Sequence, residues 1–176
     1  MKCNTPRNGL IHELDRMIII GIDPGTIRMG YALIEGVSTK SVSVLTMGYI
    51  DLSDAMSHPE KLKTIYEEIQ HLICNYQPSE MAIEAPFYGK NVQSMLKLGR
   101  SQGVAMAVAF AHQVSVTEYA PKEIKLSITG NGNASKEQVS RMLHTLLCFN
   151  NSEKKMDATD ALAVALCHCF HLNTLL

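Results

Sequence analysis

Residues 18–35, IIIGIDPGTIRMGYALIE, decide how the chain is read. Two apolar runs, 17–22 and 29–35, flank Asp23-Pro24-Gly25, and a third run follows at 42–50. Runs of this length, rich in Ile, Val and Tyr and bounded by turn-forming residues, are strands. Their short connections predict an antiparallel meander. On its own, Asp23-Pro24-Gly25 is a turn: Asp suits the first corner, Pro presets φ, and Gly tolerates positive φ.

Beyond the meander the hydrophobic period changes. Ser57 and Glu60 have capping-box spacing, and Leu62, Ile65, Ile69, Leu72 and Ile73 recur at helical intervals until Gln77-Pro78. A short strand, 81–84, precedes a Pro/Gly turn at 86–89 and a long helix over 92–112. Another strand covers 114–118. Pro121 opens a short helix, Gly130-Asn131-Gly132-Asn133 is a loop, and Ser135 with Gln138 forms a second capping box for a helix ending near Leu147. A final apolar helix runs from Asp157 to about Cys169.

The chain has 176 residues, of which 46% are hydrophobic, enough for one buried core. Its formal net charge of -1 excludes a strongly basic whole-chain nucleic-acid binder, so any such surface must be a local patch. The run 17–22 is too short to span a bilayer and no signal-peptide cleavage site follows it. Five cysteines form no C-x-x-C pair, an odd count within apolar patterns that fits a reducing cytoplasm. Residues 1–16 show no sustained period and are expected to be a flexible N-terminal extension. Residues 17–172 are expected to form one domain.

Four acidic residues lie at the ends of apolar elements: Asp23, Glu84, Asp157 and Asp160. Each also has a structural explanation, as turn corner, solvated strand end, helix cap or first-turn charge. Neighbouring strand ends under a helix N-terminus would bring them together, and the i, i+3 spacing puts Asp157 and Asp160 on one helix face. Clustered carboxylates must be protonated or share a cation, and an all-oxygen set favours magnesium or manganese over zinc. Such a site suits phosphodiester hydrolysis without a protein nucleophile.

IIIGIDPGTIRMGYALIE, MAIEAPFYGKNVQSMLKLGRSQGVAMA (81–107), EYAPKEIK (118–125), TGNGNASKEQVSRML (129–143) and MDATDALAVALCH (156–168) resemble, in this order, the motifs of the RuvC family of Holliday junction resolvases. The resemblance implies an α/β, ribonuclease H-like fold: a mixed five-stranded sheet with an antiparallel three-strand meander and helices on both faces. It implies that Asp23, Glu84, Asp157 and Asp160 are catalytic metal ligands for two Mg2+ ions, with Mn2+ able to substitute. It further implies a cytoplasmic homodimer that nicks two strands of a four-way DNA junction symmetrically, alongside the branch-migration proteins RuvA and RuvB.

Phe87 matches an aromatic that faces the junction in that family, where a ring can stack on an unpaired base; Tyr88 is a weaker candidate. Between 90 and 141, seven cations (Lys90, Lys97, Arg100, Lys122, Lys125, Lys136 and Arg141) outnumber three glutamates. From this patch Lys90, Arg100, Lys125 and Lys136 are expected to contact DNA, giving salt-dependent affinity. Ala85-Pro86 departs from the longer side chains usual after the family's glutamate, which bears on the shape of the Phe87 loop. The long helix 92–111 carries more apolar surface than one helix-on-sheet contact needs and is expected to form the dimer interface. His168, Cys167 and Cys169 are expected to be packing residues. The competing readings are an RNA-directed ribonuclease H-like nuclease and a junction-binding protein without catalysis. A two-domain sugar-kinase-like ATPase is excluded by length.

Overall fold

Strand β1 (Met17–Asp23) is the centre of the fold, and its composition explains why. Ile19, Ile20 and Ile22 are all fully buried, which requires cover on both faces. A computed structural model describes residues 17–38, 41–86, 91–147 and 156–174; the expected extension 1–16 lies outside them. Strands β2 (Arg28–Ser38) and β3 (Ser41–Asp51) continue from β1 as an antiparallel meander. After helix α1 (His58–Tyr76), β4 (Glu80–Glu84) pairs with β1 in parallel. After helix α2 (Val92–Ala111), β5 (Ser115–Tyr119) pairs in parallel with β4. The sheet order is β3-β2-β1-β4-β5. Helices α3 (Pro121–Thr129), α4 (Lys136–Leu147) and α5 (Met156–Thr174) complete the chain. The expected mixed sheet with helices on both faces is what forms.

Side chains alternate across a strand, so parity sorts the core into two layers. Ile19, Ala32, Ile34 and Ala82 pack with α3, α4 and α5. Ile20, Ile22, Leu33, Met81 and Ile83 pack with α1 and α2. The same parity assigns Asp23 and Glu84, two residues beyond Gly21 and Ala82, to the α5 face. Helix α5 runs to Thr174 rather than ending near Cys169, because Phe170 and Leu172 still pack on that core. Among the described residues, no helix is long and apolar enough to cross a membrane. Cys167 and Cys169 are free and buried in α5, whereas Cys74 on α1 is disulfide-bonded rather than a free apolar thiol.

Local signals set the helix ends. The Ser57 N–H donates to Glu60 Oε2 at 2.7 Å, and Gln77 closes α1 in the left-handed region at φ 50°. At α4 the box is reciprocal: Ser135 N–H donates to Gln138 Oε1 at 2.8 Å and Gln138 N–H to Ser135 Oγ at 3.3 Å. Gly25 departs from its expected role. Gly130 is the described glycine with positive φ; Gly25 is needed instead for room, since a Cβ there would overlap the Arg28 carbonyl oxygen.

Gly21 is where α5 meets β1. A Cβ at that position would overlap the Ala161 carbonyl oxygen and come within 2.7 Å of Ala165 Cβ. The helix backbone therefore rests directly on the strand. Gly21→Ala is expected to destabilise the protein by about 1–3 kcal/mol through overpacking, read as a lowered urea midpoint by circular dichroism. Gly48→Ala is expected to lose less, because the nearest atoms its methyl would meet are the hydroxyl end of the Tyr31 side chain rather than backbone.

Candidate active site

Three parallel strands end at the same edge of the sheet, and the residues there are Asp23, Glu84 and Tyr119. Register places the ends of β1 and β4 side by side, with Ile22 paired to Ile83. Helix α5 starts above this edge and runs back across β1 and β2, with β4 alongside. From Glu84 to Glu80 the strand covers about 13 Å, and from Asp160 to His168 the helix covers about 12 Å. The two elements thus match end to end: Asp160 shares a cavity with Glu84, while His168 Nε2 lies 3.5 Å from Glu80 Oε2.

That cavity, of about 110 Å³, is lined by Asp23, Glu84, Asp160, Lys125 and Lys136 over an apolar floor including Ile124, Val139 and Ala163. A second opening beside it, of about 270 Å³, is lined by Asp23, Asp160 and Lys136 together with Ile27, Arg28 and Gly30. Lys136 is the first residue of α4, so the Ser135 capping box aims it. Its ammonium donates to Asp160 Oδ2 at 2.5 Å.

The electrostatics follow from this crowding. Burial raises the pKa of Glu84, and the negative charge of Asp160 raises it further, against the pull of Lys136 and Lys125. Lys136 is itself shifted upward by its hydrogen bond to Asp160, with the charges of Asp160, Asp23 and Glu84 adding to the effect and burial opposing it. The carboxylates hold more negative charge than two lysines neutralise. An oxygen-only donor set with residual charge fits a hard divalent cation. Among the described residues no three acidic, His or Cys groups already stand in ligand geometry, and Lys136 occupies an oxygen of Asp160 that a metal would compete for.

Of the residues singled out from sequence, Asp23, Glu84, Asp160, Lys125 and Lys136 come together here. Asp157 sits one helical turn before Asp160 in α5, and its side chain lies outside the described residues, as do Phe87 and Lys90. Arg100 is exposed on α2 and does not line this cavity. Arg28 was not expected: it lines the second opening with its guanidinium 4.8 Å from the Tyr49 ring centroid. Its only signal was its position at the end of the turn that Asp23 begins. His168 is buried in α5, with Nδ1 2.8 Å from Tyr119 Oη. Burial lowers the His168 pKa, while the same effect pushes the Tyr119 hydroxyl up to about 12, so this pair braces α5 on β5 in neutral form.

The family model described as "Crossover junction endodeoxyribonuclease RuvC" matches residues 19–168. A Christiangramia forsetii protein of that name is 57% identical over 154 residues, covering 88% of this chain and 80% of its own. Its Cytophaga hutchinsonii counterpart is 57% identical over 167 residues, covering 95% of this chain and 80% of its own. Among solved structures, Thermus thermophilus RuvC in complex with a Holliday junction substrate superposes with a TM-score of 0.84 at 26% identity, covering 90% of this chain and 96% of that one.

A carboxylate with a raised pKa keeps more protons when folded than when unfolded, so stability falls as pH rises from the unfolded value through the folded one. Glu84→Gln removes that loss. In EDTA the variant is expected to melt above the wild type at pH 7, with the gap closing near pH 4, and added Mg2+ is expected to raise the Tm of the wild type more than that of the variant. Equal melting curves across this range would contradict the charge imbalance at Glu84.

Proposed function

We propose, from the premise that the chain belongs to the RuvC family of metal-dependent crossover junction endodeoxyribonucleases, that it resolves four-way DNA junctions by hydrolysing one phosphodiester bond in each of two strands. The observation that carries this reading is the cavity at the sheet edge shared by Asp23, Glu84, Asp160, Lys125 and Lys136. Asp23, Glu84, Asp157 and Asp160 would hold the metal, two Mg2+ ions with Mn2+ able to replace them. When bound, magnesium activates the attacking water and stabilises charge on the leaving 3′-oxygen.

The chain's own groups do the rest. Lys136, bonded to Asp160 in this structure, would face a non-bridging phosphate oxygen of the substrate. Lys125, which lines the same cavity, adds a second positive charge. The floor of Ile124, Val139 and Ala163 limits water beneath the carboxylates and strengthens these electrostatics. Phe87 and Lys90, three and six positions after Glu84, and Arg100 on α2 contact the junction outside the reacting phosphate. Residues 17–172 form the nuclease domain and 1–16 an extension. RuvA and RuvB, in the cytoplasm, are the partners that family membership supplies.

Symmetric cleavage calls for a homodimer, and α2 supplies a face for one. Val92, Leu96, Gly99, Gly103 and Phe110 are all exposed along one stripe, and their spacing of three, four and seven residues is that of a helix-packing seam. The two glycines permit close approach. Leu96→Arg is expected to convert the protein to monomers by sedimentation and to uncouple the two nicks.

On a mobile four-way junction with Mg2+, paired symmetric nicks are expected in the wild type. No cutting is expected in EDTA or of a matched linear duplex. Glu84→Gln is expected to bind the junction while cutting at least about 100-fold more slowly. Selective cutting of an RNA–DNA hybrid would instead place the protein among ribonucleases, and binding without any cleavage would make it a binding module.

A further inference from the structure

A cavity of about 260 Å³ lies on the far side of the Asp23 turn from the carboxylates, between that turn, the start of α1 and the first half of α2. Its character is the reverse of its neighbour's. Lys61 and Lys97 line it with Thr26, His58, Ser94 and Asp54, and Arg100 is close enough to act on His58.

Lys61 is held in place. Its side chain is only 15% exposed, and its ammonium donates to the Thr26 carbonyl at 2.9 Å. Asp54, at 3.6 Å, is 80% exposed and offsets it weakly. Lys97 and Arg100 form no ion pair with a described residue. His58 Nε2 is enclosed without a hydrogen-bond partner. Burial lowers the His58 pKa, and the charges of Arg100, Lys97 and Lys61 lower it further, so the local potential is positive. Donors outnumber acceptors around the cavity, the reverse of what a cation or a carbonyl ligand would require.

We propose that this cavity is a second phosphate subsite, in which Lys61, Lys97 and the Ser94 hydroxyl hold a backbone phosphodiester of the same DNA strand whose scissile phosphate lies at the carboxylates. The inference rests on the nuclease reading for the identity of the strand. Continuity carries the link: Ile27, 52% exposed, lines both this cavity and the opening beside Asp23, so a strand crossing Ile27 passes from one to the other. Through the Thr26 carbonyl, Lys61 also ties the subsite to the turn that begins with Asp23. The subsite positions the strand; it takes no part in bond cleavage.

Binding of a fluorescent four-way junction and of a linear duplex, measured in EDTA from low to moderate salt, tests this. Lys63 is the control, being on the same helix, exposed and paired with Glu67. Lys97→Gln is expected to weaken junction binding about tenfold and to reduce the slope of log affinity against log salt by about 0.9. Lys61→Gln is expected to act in the same direction, and Lys63→Gln to match the wild type. If Lys97→Gln and Lys63→Gln give the same slope and affinity, the subsite is overturned. If inorganic phosphate shifts the His58 ring resonance in the wild type but not in Lys97→Gln, while the DNA slopes stay equal, the cavity is a free-anion site and the DNA assignment fails. A wild type that cuts no junction when Mg2+ is supplied, yet shows the slope difference on duplex in EDTA, sinks the resolvase reading and leaves the subsite standing. A wild type that binds neither DNA sinks both.

Discussion

The packing of α5 against β1 at Gly21 is the contact on which the site depends. Because Gly21 has no side chain, the Ala161 backbone rests on the strand, and Asp160, the residue before it, arrives over the edge where β1 ends in Asp23. A side chain at that point would lift the helix, separating Asp160 from Asp23 and Glu84 together. The burial of Ala158, Ala161, Leu162 and Ala165 on this face makes the contact firm. At the other end of α5, His168 and Tyr119 keep the helix from rotating.

Stability and chemistry oppose each other at this edge. Bringing Glu84 and Asp160 to one cavity disfavours ionised Glu84, and Lys136 relieves only part of the excess charge. A fold selected for stability alone would separate these groups. Their convergence is what a site for a divalent cation would require, in keeping with the metal dependence of the family. The three carboxylates lie on the α5 side of the Asp23 turn with Lys125 and Lys136 among them, whereas Lys61 and Lys97 lie toward α2 with Asp54. An anionic strand would meet two lysines on one side of the turn and the clustered carboxylates on the other.

Much of this was legible in the sequence because the signals are local. Strand and helix periods, the two capping boxes and the turn residues act over a few positions, and the meander, the helices and Lys136 as the start of α4 follow from them. Asp23, Glu84 and Asp160 stood out as acidic residues at the ends of apolar runs. Their parity with Gly21 and Ala82 was also implicit in the strands, since side chains alternate wherever the backbone is extended.

Tertiary structure decided what depends on distance between separate elements. No local pattern places Lys61 against the Thr26 carbonyl 35 positions earlier, or Arg28 beside Asp160. The need for Gly25 came from the return of the chain at Arg28 rather than from its own φ. The last turn of α5 formed because Phe170 and Leu172 found the core. The sequence by itself determined which elements form and which residues end them. Only packing of the two helical layers on the sheet determined which of those ends meet, because hydrogen-bonding periods act along the chain while burial and charge act across space.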